Sequence, residues 1–385
     1  ASAWSVANFY HMKYRPVRSS AGNEEITSTE GLYPVAPVGF SNYAYIIDWN
    51  DYNTPALLQQ LQSKGLVLSS AFKPFTTQVG EGSESFSYGA LVLPVSLQKK
   101  TPQEVHDLLL EAQKKWQVPA YGVSSGYHLK GVDLGSRYIR PLEAPKAAIF
   151  IGEGVRSYEA GEVWHLLDTR VKMPITKIPL RDFAGADLDR YNTLVMVSGR
   201  YRWNDKQQQR IKDWVAKGNT LITIGGGTSY VIRNKWVEEA LVETARDSTK
   251  AVERLPYVDA PENIGRERVG GIILNTDLDQ THPLGFGYQE AQIPVYKNNE
   301  VWMQPSKNAY GTVARYAKNA HIDGFISENN TEDFLQIADS LVVSTIGRGR
   351  VILFADNPNF RGSWYGTNRL FLNALFLGQH IRVPE

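Results

Sequence analysis

With 385 residues, 42% of them apolar and 21% charged, the chain can bury more than one core, and two domains are expected. Its 41 basic and 40 acidic residues leave a net charge of +1, which gives no field to draw in a nucleic acid or an anionic membrane surface. The absence of cysteine excludes disulfides, thiolate zinc sites and a cysteine nucleophile. No apolar run is long enough for a membrane span, and Ala1 opens no charged-then-apolar leader, so the missing start methionine points to a processed protein or a fragment.

Residues 1–41 hold GNEEITSTEG and YPVAPVGF without sustained periodicity, and read as a linker or the trailing segment of an upstream domain. A strand is predicted over Tyr43–Trp49, then a helix that Thr54-Pro55 opens and Gly65 closes. Leu66–Phe72 is the next strand, GEGSES a polar loop, and Ala90–Val95 a third strand. Thr101-Pro102-Gln103-Glu104 has capping-box form, and Val105, Leu108, Leu109, Ala112 and Trp116 fall on one face of the helix it starts. Pro119–Val123 closes this set with a strand.

The order repeats from Ala147. Ala147–Ile151 is a strand, Gly152-Glu153-Gly154 a turn, 157–170 a helix, 175–180 and 193–198 strands, 205–217 a helix and 220–224 a strand. Ala44 to Ala147 and Ala90 to Thr193 are both offsets of 103 positions, which suggests two copies of one βαβ-βαβ unit, each a parallel sheet flanked by helices. Two unrelated doubly wound segments would show similar spacing. Beyond Tyr230 a helix over Lys235–Ala245 and strands at Gly271–Leu274 and Val313–Tyr316 are expected. Leu341–Ser344 and Arg350–Ala355 should form a hairpin around Gly347-Arg348-Gly349, and Gly366–Leu377 an amphipathic helix.

Three stretches invite a chemical reading. Gly122-Val123-Ser124-Ser125-Gly126 matches the G-x-S-x-G elbow that exposes a nucleophile at a strand end, with His128 nearby. A small-residue turn there is equally a packing requirement, and HLKGVDLGS does not continue as the helix an elbow needs. Gly225-Gly226-Gly227 follows a strand but lacks the lysine of a phosphate loop, and Gly152-x-Gly154 is half a dinucleotide fingerprint. Together Gly152, Glu153, Gly154, Arg156, Ser198, Arg200, Gly225, Gly226 and Gly227 should gather at the carboxyl rim of a parallel sheet, as a shallow pocket for a carboxylate or phosphate, or else serve only as close turns. Glu162, His165 and Asp168 share a helical spacing, but with no second Glu-x-x-His and no His-Glu-x-x-His no metal site is expected, and Thr281-His282-Pro283-Leu284 reads as a turn.

GSRYIRPLEAPKAAIFIGEGVRSYEAGEVWHLLDTR, THPLGFGY and GRGRVILFADNPNFRGSWYGTNRLFLNAL resemble, from about Ala44 to the end, the region that follows the peptidase domain in bacterial zinc carboxypeptidase-like proteins. The resemblance implies a class I glutamine amidotransferase-like tail. The expected fold is then α/β, as two flavodoxin-like three-layer domains over 42–143 and 144–385, the second being the amidotransferase-like one. An active amidotransferase would carry a G-x-C-x-G elbow, and by position its cysteine falls at Gly225, or at Ser124 in the first copy. Nothing here matches the peptidase's zinc ligands. The family therefore implies a non-catalytic accessory region that needs no cofactor of its own. Zinc and the catalytic peptidase domain would lie upstream in the same polypeptide, in a periplasmic or extracellular protein. Two alternatives stand beside this expectation: a serine hydrolase using Ser124, and a cell-envelope module whose nine Trp and twenty Tyr line a groove for a glycan, a peptide or a cell-wall fragment.

Overall fold

The computed structural model describes residues 6–14, 35–243 and 254–384. A short helix α1 (Val6–Phe9) comes first, and the Phe9 ring lies 4.7 Å from that of Trp364. Strand β1 (Ala44–Ile47), helix α2 (Thr54–Ser63) and strand β2 (Ser69–Ala71) follow, then a hairpin of β3 (Phe75–Val79) and β4 (Gly82–Phe86). After β5 (Leu91–Pro94) comes α3 (Pro102–Trp116), with the capping box in place: the Glu104 N–H donates to Thr101 Oγ1, and the Thr101 N–H to Glu104 Oε2. Strands β6 (Ala120–Val123), β7 (Lys130–Gly131) and β8 (Ile139–Pro141) complete this unit.

Its main sheet has the order β6-β1-β5-β2-β8, and every pairing in it is antiparallel. This corrects the expectation of a parallel, flavodoxin-like first domain. The strands and helices come in the order read from the sequence, but β2 runs into the hairpin and returns as β5 between β1 and β2. A hairpin return reverses direction, whereas parallel neighbours need a crossover, so the result is a split βαβ arrangement. The polar stretch read as a loop is that hairpin, with Thr77 opposite Glu84. Tyr45, Ile47, Leu91 and Leu93 pack on α2 and α3, while Ala44, Ile46 and Val92 pack with Phe75 and Phe86 on the other face.

The second unit begins with β9 (Ala147–Ile151) and α4 (Ser157–His165), which widens into a π-helical turn over Leu166–Val171. Then come β10 (Thr176–Pro179), β11 (Thr193–Met196), α5 (Asp205–Ala216), β12 (Thr220–Ile224), α6 (Gly226–Arg233) and α7 (Ala260–Arg266). Strands β13 (Ile272–Leu278), β14 (Gln292–Lys297) and β15 (Thr312–Gly324), the single turn α8 (Glu328–Asn330), the hairpin β16 (Asp339–Ile346) and β17 (Gly349–Phe354), and α9 (Tyr365–Phe376) end the chain.

One nine-stranded sheet results, in the order β10-β9-β11-β12-β17-β16-β15-β13-β14. Its first five strands are parallel, in the doubly wound order 2-1-3-4-5, and the other four extend it antiparallel. Ile149, Val195, Ile222 and Ile352 pack with residues of α4 and α9, and Ala148, Leu194, Leu221 and Leu353 with residues of α5 and α6. Strands covered on both faces read as continuous apolar runs, which is why they were legible. The helix expected over Lys235–Ala245 does not form in its described part, because Lys235 turns left-handed (φ 53°) to end α6 and Leu241 bridges to Met303; residues 244 and 245 lie outside the described residues. Much of residues 1–41 does too, but Val38 joins the core and Ser41 Oγ–H donates to the Val123 carbonyl (2.7 Å).

The two units carry separate sheets and share one core. Trp49 of the first lies edge-on to Phe376 of α9 at 6.4 Å, and its Nε1–H donates to Asn373 Oδ1 (2.8 Å).

Candidate functional site

Five parallel strands bring their carboxyl ends to one rim. After β9, Gly152 (φ 98°) and Gly154 (φ 92°) reverse the chain in a backbone region that a side chain would strain. The loop after β11 is stitched to it: the Arg200 N–H donates to the Gly154 carbonyl (2.7 Å) and the Arg156 N–H to the Ser198 carbonyl (2.9 Å). After β12, Gly225 adopts φ 55°, ψ −117° and leads directly into α6, its N–H donating to the Phe354 carbonyl (2.9 Å). A sharp, strained turn from strand to helix is the form a nucleophile elbow takes, and here its corner is a glycine.

The space over that glycine is filled. A Cβ placed on Gly225 would lie 2.8 Å from Ser198 Oγ and 4.0 Å from Glu159 Oε2. Ser198 Oγ accepts from the Gly226 N–H at the start of α6 (2.7 Å), and the Ser198 N–H donates to Glu159 Oε2 (2.8 Å). Burial raises the Glu159 carboxyl above its ordinary range, against the hydrogen bonds from Ser198 and the charge of Arg156. One turn along α4, Glu162 accepts from Asn357 Nδ2 (2.5 Å) and from the Arg361 N–H (2.6 Å), yet burial still pushes it up to about 6.

Three adjoining clefts open on this rim. The first, of about 700 Å³, includes Glu159, Glu162, His165, Asn298, Asn357 and Arg361 in its walls. The second, of about 910 Å³, shares Arg156, Glu159 and Asn298 with it and adds Ser198, Gly226 and Arg268. The third, of about 800 Å³, shares Gly154 and Arg200 with the second and adds Gly152, Glu153, Arg181 and Arg202.

The rim residues picked from sequence are thus brought together, with two exceptions. Gly225 is buried beneath Ser198, and Gly227 is buried where a Cβ would collide with the Met196 carbonyl, so it sets the approach of α6 to β11. Glu159, Asn298, Asn357, Arg361, Arg268, Arg181 and Arg202 were missed, and Glu162 was weighed only as a metal ligand. The i, i+3 spacing of the two glutamates was a usable signal; the asparagines come from loops that only the sheet order makes neighbours.

The other candidates lie elsewhere. Ser124 is exposed in a bend followed by loop and then β7, with no helix behind it. His128 stacks on Phe75 (centroids 4.2 Å apart) and its Nδ1 bonds the Val132 carbonyl, so its ring serves the hairpin, not Ser124. Asp168 falls in the π-helical turn, out of the helical register that would align it with Glu162 and His165. Among the described residues no group of three or more His, Asp or Glu could hold a metal ion, and no helix is long and apolar enough to cross a membrane. His282 caps the single turn Pro283–Gly285.

No family model matches the sequence, and a search of curated proteins returns no match. Among solved structures, a GMP synthase subunit protein from Thermoplasma acidophilum is similar at 10% identity, with a TM-score of 0.38 over 60% of this chain and 94% of its own. A ThuA-like protein from Parabacteroides merdae is similar at 12% identity, with a TM-score of 0.41 over 63% of this chain and 92% of its own. A glutamine amidotransferase from Thermotoga maritima is similar at 10% identity, with a TM-score of 0.35 over 56% of this chain and 77% of its own. These likenesses, which include amidotransferase-like folds at low identity, name no zinc carboxypeptidase.

Proposed function

We propose that this chain is a non-catalytic, ligand-presenting region of a zinc carboxypeptidase-like hydrolase, whose second unit is a class I glutamine amidotransferase-like domain with glycine at the nucleophile position. One observation carries the reading: Gly225 holds the elbow conformation without any side chain, and Ser198 Oγ occupies the vacated space. Without a thiol or hydroxyl at the elbow no acyl-enzyme can form there. What remains is a polar rim at the carboxyl ends of the strands, where Arg156, Arg200 and Arg268 favour a small carboxylate or phosphate. The sequence resemblance supplies the rest of the reading. The peptidase domain and its zinc lie upstream in the same polypeptide, this chain packs against that domain or presents substrate to it, and the parent protein is periplasmic or extracellular.

The test is turnover by the purified chain. No glutaminase activity, no zinc-dependent release of C-terminal residues and no fluorophosphonate labelling are expected, while phosphate or acetate binds weakly and saturably and Arg268→Gln weakens it. Turnover of any of these substrates, or labelling abolished by Ser124→Ala, would overturn the reading.

A further inference from the structure

The third cleft differs in chemistry from the elbow. The strands β9 and β11 are neighbours, but α4 follows β9 onto one face of the sheet and α5 follows β11 onto the other. The loops leaving them diverge, and in doubly wound sheets the crevice at such a reversal is where ligands collect. Here the Arg200 N–H to Gly154 carbonyl bond and the Val155–Gly199 bridge zip the two loops together and divide the crevice. One half opens toward Ser198 and Gly226. The other opens toward β10, with walls from Ile151, Pro179, Leu180 and Trp203.

This second half pairs an apolar wall with a cationic mouth. Trp203 is almost wholly buried, held among Phe150, Phe183 and Trp236, so the wall is rigid. Arg181, Arg200 and Arg202 line the same cleft, with Glu153 as the one carboxylate among its lining residues, leaving an excess of positive charge. Asp182 approaches Arg181 only at 3.7 Å with both side chains exposed, a pair of little strength. A neutral sugar would leave the guanidinium groups unpaired, and a bare inorganic anion would leave the apolar wall wet.

We propose that this cleft is a second binding site, divided from the elbow cleft by the joined loops and sharing Arg200 with it, for an amphiphilic anion: an apolar body against Ile151, Leu180 and Trp203, and a carboxylate or phosphate head on Arg181, Arg200 and Arg202. The free C-terminus of a peptide ending in an apolar residue has this chemistry, and so does an aryl phosphate.

Calorimetric titration of the whole chain with N-acetyl-phenylalanine, its amide, and phenyl phosphate tests the site. Saturable binding of at least one acid is expected, about tenfold weaker for the amide and for the chain carrying Arg202→Gln. The tighter acid identifies the head group. Arg268→Gln, on the elbow side, should leave this binding unchanged, so a failure at the elbow and a failure here are read by different variants. Equal binding of the amide, acid binding unaltered by Arg181→Gln and Arg202→Gln together, or no saturable binding of either acid would overturn the proposal. The amide comparison needs no variant, and both arginines are exposed, so stability need not change.

Discussion

Gly225 combines a backbone angle that disfavours any side chain with a neighbour, Ser198 Oγ, standing 2.8 Å from where a Cβ would go. Gly225→Ala should therefore cost about 1–3 kcal/mol in urea unfolding, and Ser198→Ala in the same chain should recover part of it by removing the clash. The coupling between the two substitutions is the informative quantity, since backbone strain alone would leave them additive. Glu162 gives a pH signature. Its folded pKa of about 6 lies above the ordinary 4.5, so the folded chain binds this proton more tightly than the unfolded one. The contribution is present below about pH 4.5 and is lost as pH rises through 6. Relative to Glu162→Gln, the native chain should lose about 1 kcal/mol between pH 4.5 and 7, a value reduced from the full shift because the carboxyl is partly solvated. Thermal melts of both proteins across that range check the sign.

At the scale of the element, the position of α6 depends on a single atom's absence. Gly227 lets the first turn of the helix close onto the Met196 and Val197 carbonyls of the neighbouring strand and its exit, and Thr228 Oγ1–H donates to the Phe354 carbonyl (2.7 Å) across the sheet. Gly227→Ala should destabilise by about 1–3 kcal/mol or more through overpacking, because backbone cannot move aside as a flexible side chain can. Helix α3 offers the opposite case. Its capping box is exposed and local, so Thr101→Ala should cost only about 1 kcal/mol and leave the rim untouched. Ligand binding by both variants separates the cases: the first should disturb the elbow cleft through Gly226, the second should not.

At the scale of the molecule, the antiparallel unit and the doubly wound unit are joined through buried groups that neither could satisfy alone. Asn373 Oδ1 takes the Trp49 Nε1–H, and its Nδ2 donates to the Leu284 and Phe286 carbonyls, all at 2.8 Å. Arg369 beside it stacks on Trp49, donates to the Asp51 carbonyl and is pushed down to about 10 by burial. Asn373→Ala would leave a buried indole N–H and two carbonyls to find new partners, at about 1–3 kcal/mol for each group left bare. A shared core further implies that the units melt together. Tryptophan fluorescence and far-UV circular dichroism should give coincident unfolding curves for the native chain, and two separate transitions would show that the interface contributes little.

Local chemistry was enough to determine much of this protein. The apolar runs at Ala147–Ile151 and Thr220–Ile224, the capping box at Thr101, the hairpin around Gly347-Arg348-Gly349 and the glycine turn that follows Ile224 all follow from residues close in sequence, where periodicity and turn chemistry act. Strand direction did not follow. The first unit and the second carry similar orders of strands and helices, and only the return of β5 between β1 and β2 makes one sheet antiparallel, because strand pairing is a long-range choice that alternation cannot encode. The start of α6 was hidden for a related reason: three glycines have poor helix propensity, and the helix exists because strand, carbonyls and Ser198 hold it in place. The site divides in the same way. Gly152, Arg156, Ser198 and Arg200 were legible as strand-end residues, whereas Asn298, Asn357 and Arg361 reach Glu159 and Glu162 only because β14 and β17 belong to the same sheet as β9, and which loops meet over a rim is decided by topology alone.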